Sequence, residues 1–513
     1  MSRPLSRVLA LLAALSCAAL GHADITVAPL FSDGAVLQRD KPVALWGRAD
    51  AGEKIVITFA GQTREATAMH DGRWIAFLDP LPATAQGSNL TLTGKNTLTL
   101  HDVLVGEVWL CSGQSNMEWP VSRAANGPQE IAAAEFPLIR HVKIGHTVSL
   151  TPLETAKTTG WQQATPQTTG AFSAVAYFFA RDLHLKLEVP IGIVVSTWGG
   201  TPVEAWMSPA ALAADPAFRL VDERWAQMMA EHLPKKAAFD TAFAEWTKAE
   251  AAAKAQGKPA HDAFLKKNPR QWEPPGPGHP WTPRGLFNGM INPLLPYALR
   301  GVIWYQGENN VDRPGEYHAL FKTMIEHWRA HFGQGDLPFF WVNLAAFGYP
   351  TDPTGVRAAA LREAQNQTLA LPNTGEALAI DIGHPTDIHP TNKQEVGRRL
   401  ALLARHRVYD FTGDDSGPVF AGIAREGAAL RVRFTHAVDG LIAYQKPVQS
   451  LQLAGADRVF HPAEARIDRD TLVVTSRAVK DPVAVRYAWS NAPVANLYNG
   501  SGLPAAPFRS DNW

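Results

Sequence analysis

The chain has 513 residues, too many for one ordinary core, so two to four domains are expected. Apolar residues make up 46% and charged residues 19%, the balance of a soluble globular protein. Lys plus Arg and Asp plus Glu both number 48, so no overall field draws nucleic acid or an anionic membrane, and a neutral substrate fits better than a polyanion.

Arg3 and Arg7 precede an apolar run from Val8 to Leu20, and Gly21-His22-Ala23 follows at cleavage spacing. Residues 1–23 therefore read as a signal peptide cut after Ala23, which sends the protein to the periplasm or outside the cell. The run is shorter than the roughly 20 residues needed to span a bilayer, and no later segment reaches that length. Ala14-Leu15-Ser16 before Cys17 makes a poor lipobox. Cleavage removes Cys17 and leaves Cys111 alone, so no intramolecular disulfide is expected; Cys111 is read as a small buried apolar residue at a strand end.

Residues 24–102 alternate with period two: Ile55, Ile57 and Phe59, then Trp74 to Leu78 after an Asp71-Gly72 turn, then Leu90, Leu92, Leu98 and Leu100. Short strands broken by Gly, Asp and Asn predict a β-sandwich-like N-terminal domain. Residues 103–415 change character. Val103 to Leu110, Pro190 to Val195, Leu299 to Tyr305, Pro338 to Leu344 and Glu376 to Ile380 are nearly continuous apolar strands, as in a parallel sheet covered on both faces. Helical patterns over Phe172 to Leu187, Tyr317 to Phe332, Val356 to Leu369 and Asn392 to Arg405 lie between them. The alternation predicts a doubly wound α/β core with catalytic groups at the C-terminal strand ends. Residues 209–283 interrupt it with an Ala-, Lys- and Glu-rich helical stretch and a Pro-rich return, read as a wall beside the site. Alternation resumes over 416–513 in a C-terminal β domain. Oligomeric state cannot be read from the sequence.

Four strand ends carry catalytically competent groups. Ser115, in Gly113-Gln114-Ser115-Asn116, stands where a nucleophile can also offer its own N–H to an oxyanion, although a turn serine is ordinarily a helix cap. Trp198-Gly199-Gly200-Thr201 lets backbone approach a ligand closely, and Trp198 can face a sugar. Trp304-Tyr305-Gln306-Gly307-Glu308-Asn309 brings amides that can donate to an oxyanion and an indole that can flank a sugar. Asp387-Ile388-His389 places a carboxylate near a histidine at a strand-to-helix junction, the arrangement that fixes an imidazole tautomer. His384 is the nearest decoy.

In this order the four blocks resemble the SGNH (GDSL-like) hydrolases, and their wording is similar to the sialate O-acetylesterase branch. The matching segments are residues 104–117, 198–206, 301–308 and 387–397, with further similarity near Leu30 to Gly47 and Asn496 to Asn499. The resemblance implies Ser115 as nucleophile, His389 as general base and acid, and Asp387 as its orienting acid. It implies oxyanion donors from the Ser115 N–H, an N–H of Gly199 or Gly200, and an amide of the third block. Two departures from the wider superfamily leave alternatives open. Asp387 stands two rather than three residues before the histidine, so Glu308 or a backbone carbonyl competes as orienting group. The third block reads Gln-Gly-Glu, which favours Gln306 over Asn309.

The implied reaction is deacetylation of a sugar hydroxyl, with no metal or cofactor required. O-acetylated sialic acid and acetylated plant glycans such as xylan or xyloglucan are the competing substrates. A sialate carboxylate needs a cation, for which Arg123 and Arg284 are candidates. A non-catalytic carbohydrate-binding surface protein is the alternative of a different class.

Overall fold

One strand organises the architecture. In the computed structural model, which describes residues 24–437, 439–444 and 446–513, Thr97–Gly113 runs unbroken for 17 residues. Its first half pairs antiparallel with Thr84–Thr93 and parallel with Val36–Gln38. Its second half lies between Ile191–Thr197 and Gly301–Tyr305, parallel to both. The expected boundary at 102/103 thus falls inside a continuous strand. Glu107, near the change of partners, is buried and accepts hydrogen bonds from Gln38, Arg39 and Arg300, tying the two halves together.

The central part of this mixed sheet has the spatial order Phe136–Lys143, Ile191–Thr197, Thr97–Gly113, Gly301–Tyr305, Phe339–Asn343, Thr374–Leu378, all parallel; Gln162–Ala164 adds antiparallel at the outer edge. Four of these strands are buried at every residue, and three of them, Ile191–Thr197, Gly301–Tyr305 and Phe339–Asn343, are rich in Val, Ile or aromatic residues. Phe136–Lys143 was not among the expected strands, because Arg140 and His141 break its apolar run. Both are nonetheless buried: Arg140 bonds backbone carbonyls, and His141 stacks on Phe172 at 4.2 Å.

Helices Ala174–Leu187 and Lys393–Val408 pack on each other, as do Pro314–Phe332 and Arg357–Gln367. The first pair touches closely at Gly397, where a Cβ would come within 2.7 Å of Phe178. One hydrophobic core runs continuously from Ile25 to Ala404, so the N-terminal strands and the central sheet share their interior. A second core, made of Ile380 and residues from Leu430 to Phe508, fills the C-terminal part, where two four-stranded antiparallel sheets lie.

The 209–283 segment contains a 37-residue helix, Arg219–Ala255, with Pro234 inside it, and a second helix, Lys258–Lys267. Among the described residues no helix is long and apolar enough to cross a membrane. The expected signal peptide, with Cys17, lies outside the described residues.

Candidate active site

The strand Thr97–Gly113 ends in Gly113 at φ +131°, where a Cβ would sit 2.2 Å from the Tyr305 carbonyl oxygen. That close approach needs glycine, and it releases the chain into the short helix Ser115–Glu118. Ser115 is the first residue of this helix, so its N–H has no intrahelical partner. His389 comes from the loop after Thr374–Leu378, just before Lys393–Val408. Its Nε2 lies 2.9 Å from Ser115 Oγ, a hydrogen bond bridging 274 residues of sequence.

Two features hold the imidazole. Trp119 stacks on it, with ring centroids 4.9 Å apart and planes 19° apart. Asp387 lies on its other ring nitrogen, but Oδ1 is 3.9 Å from Nδ1, beyond hydrogen-bond length; the same oxygen accepts the His389 backbone N–H at 2.9 Å. Burial lowers the His389 pKa, and the Lys393 cation adds to that effect; Asp387 opposes it and Arg123 reinforces it.

The other expected site residues fall into two groups. Those at the opening are Gly200, Asn309, Trp198 and Arg123. Asn309 Nδ2 donates to the Gly200 carbonyl at 2.8 Å, Trp198 stacks on His146 at 4.2 Å, and the Arg123 guanidinium lies 3.8 Å from the Trp119 ring centroid. The remainder need correction. Trp304 is wholly buried among Trp206, Trp328 and Phe321, so it packs the core and cannot flank a sugar. Gln306 is also fully buried; its amide hydrogens go to the Thr201 carbonyl and Asn310 Oδ1, leaving none for an oxyanion. The Gly199 N–H donates to Glu118 Oε2 at 2.8 Å, so it too is engaged. Arg284 pairs with Asp222. His384 accepts backbone N–H groups within its own turn.

Three residues that sequence reasoning missed shape the site. Trp119 lacks a signal of its own beyond closeness to Ser115. Glu118 anchors the Gly199 turn and accepts hydrogen bonds from Lys143 and His146. Burial pushes its carboxyl up, but those two partners outweigh burial and hold it at about 2. Lys393 is fully buried and donates to Asn116, the neighbour of Ser115. Glu308, weighed above as an orienting group, does not reach His389; it accepts from Asn116 Nδ2 at 2.5 Å.

A cleft of about 380 Å³ opens beside Ile388, Glu308 and Asn309, and the 209–283 segment supplies Trp225, Met228 and Trp281 to its wall. Its cations are paired: Arg224 binds Glu316 through two nitrogens, and Arg313 binds Glu204.

Relatives define the class. A sequence model described as carbohydrate esterase, sialic acid-specific acetylesterase, matches residues 271–405. The rat sialate O-acetylesterase is 30% identical over 526 residues, covering 92% of each chain, and the mouse sialate O-acetylesterase is 29% identical over 522 residues with the same coverage. A solved structure of a carbohydrate acetylesterase from Xanthomonas citri is 40% identical, covering 96% of this chain and 100% of its own, with a TM-score of 0.80. The protein is a carboxylic-ester hydrolase on a mixed α/β scaffold with added β-sheet domains. It belongs to the sialate O-acetylesterase family.

Proposed function

We propose that this enzyme removes O-acetyl groups from sugar hydroxyls through an acyl-enzyme formed on Ser115, with His389 as general base and then general acid. The observation that carries this reading is the 2.9 Å hydrogen bond between Ser115 Oγ and His389 Nε2 at the C-terminal ends of parallel strands. His389 takes the serine proton as Oγ attacks the acetyl carbonyl. It then protonates the departing sugar oxygen and activates water to release acetate. The Ser115 N–H and the Gly200 N–H are the oxyanion donors best supported, since Gly199 and Gln306 are engaged elsewhere. Asp387 acts on His389 through charge and through the backbone of its loop rather than by a direct bond to Nδ1.

The acetylesterases to which the chain is similar support an acetylated carbohydrate as substrate. Trp225 and Trp281 in the adjoining cleft supply apolar faces for sugar rings. Sialate and neutral glycans differ in their need for a cation; Arg123, whose guanidinium lies over Trp119, is the candidate partner for a sialate carboxylate. We read residues 103–415 as a doubly wound hydrolase core flanked by β domains at 24–102 and 416–513. Arg3, Arg7 and the apolar run after them support export with cleavage after Ala23.

The test is acetate release by wild type and Ser115→Ala on p-nitrophenyl acetate, then on O-acetylated sialic acid, xylan and xyloglucan oligosaccharides. Wild type turns over and the variant falls by at least about 10³-fold while folding normally. Full activity in Ser115→Ala overturns the reading.

A further inference from the structure

Beneath the dyad lies a buried polar chain that the mechanism above does not use. Lys393, the first residue of helix Lys393–Val408, has no exposed surface and donates to Asn116 Oδ1 at 2.5 Å. The Asn116 amide nitrogen donates in two directions, to Glu308 Oε1 at 2.5 Å and to the Ile388 carbonyl at 3.0 Å. Glu308 Oε2 is buried with no partner among the described residues. Tyr305 and Trp119 cover the ammonium, with ring centroids 5.4 and 5.9 Å from Nζ.

The members of this chain come from three separate strand ends. Asn116 adjoins Ser115, Ile388 adjoins His389, and Glu308 belongs to the turn after Gly301–Tyr305. Both amide hydrogens of Asn116 are taken and its oxygen accepts from Lys393, so its side chain cannot rotate without breaking its bonds to Lys393 and Glu308 in an enclosed space. An unpaired buried charge is far more costly than a lost surface contact. The two loops that carry the reacting atoms are therefore fastened to a common point.

We propose that Lys393, Asn116 and Glu308 are positioning residues for the ester hydrolysis, a buried cation–amide–carboxylate chain that sets the spacing of Ser115 and His389 and keeps the imidazole in its proton-accepting form. The proposal rests on the Ser115–His389 reading. The charged groups around His389 are Lys393, at the start of the following helix, Asp387 in its own loop, and Arg123 from the turn after the nucleophile helix. Two are cations, and only Lys393 is enclosed. Burial brings its ammonium down to about 7, so it carries its charge throughout the acid range in which His389 titrates.

The experiment compares kcat, KM and pH profiles of Ser115→Ala, Lys393→Met, Glu308→Gln and Glu308→Ala, with folding of each full-length variant followed by thermal melting. Removing the cation lets His389 protonate more readily. Lys393→Met is therefore expected to lower kcat about tenfold or more, change KM less than threefold, and move the acid limb of kcat/KM to higher pH. A folded Lys393→Met with an unmoved acid limb overturns the proposal, whatever its kcat, because a packing role alone leaves that limb in place. The Glu308 pair stands independently of that variant's folding: glutamine can still accept from Asn116, so it should retain at least tenfold more kcat than alanine. Equal activities of the two overturn the proposal. Activity surviving in Ser115→Ala would instead mark failure of the underlying dyad.

Discussion

Trp119 lies nearly flat against His389 and also carries the Arg123 guanidinium, so this imidazole is steadied by an indole rather than by a tight carboxylate hydrogen bond. Trp119→Ala should lower kcat about tenfold by letting the imidazole leave its near-attack geometry. Trp119→Phe, which keeps a flat ring, should recover most of the loss. Steady-state kinetics on p-nitrophenyl acetate checks both; equal activities of the Ala and Phe variants would contradict the stacking role.

The proposed reaction needs His389 neutral, and burial together with Lys393 holds its pKa below the ordinary 6.5. A base with a lowered pKa stays deprotonated further into acid. The acid limb of kcat/KM should accordingly have its midpoint below pH 6.5. A pH–rate profile with its midpoint at or above 6.5 would contradict this.

Glu376 gives a separate prediction for stability. Its carboxyl is buried in the core, accepting from Trp341 and Asn343, and burial raises its pKa from 4.5 to about 7. The unfolded chain loses this proton at lower pH than the folded one. The contribution is therefore fully present below about pH 4.5 and is lost as pH rises through 7, by about 3 kcal/mol. Glu376→Gln cannot ionise, so its melting temperature relative to wild type should rise by a few degrees between pH 5 and pH 8. Melting curves at the two pH values decide it.

The cleft walled by the 209–283 segment should serve the glycan more than the acetyl group. The Trp281 indole N–H donates to the Gly200 carbonyl at 2.6 Å, which places the ring against the turn beside Ser115. Trp281→Ala should lower kcat/KM for acetylated oligosaccharides about tenfold more than for p-nitrophenyl acetate. An unchanged ratio between the two substrates would remove this segment from substrate recognition.

The parallel strands were legible because burial on both faces leaves apolar runs such as Ile191 to Val195 with little else to be. Phe136–Lys143 was not, since Arg140 is satisfied by backbone carbonyls and His141 packs flat on Phe172, contacts that only the fold supplies. At the site, Ser115 and His389 stood out through their motifs. Which amide hydrogens are free was not readable: Gln306 and Gly199 are placed as the motifs suggest, yet Thr201, Asn310 and Glu118 claim their N–H groups. Trp304 shows the same limit for burial. Its strand-end position suits a sugar platform, but Trp206, Trp328 and Phe321 enclose it.

The strand Thr97–Gly113 has a practical meaning for anyone who would trim this protein. Ser115 sits at the tip of a beam whose far end is clamped by Thr84–Thr93 and Val36–Gln38, and Glu107 rivets the join. Cutting at residue 102 would leave Ser115 on a cantilever stripped of its mount, with the apolar flank of Val103 to Val105 opened to water. A catalytic fragment worth expressing therefore begins before Ile25, not at the first residue of the hydrolase motifs.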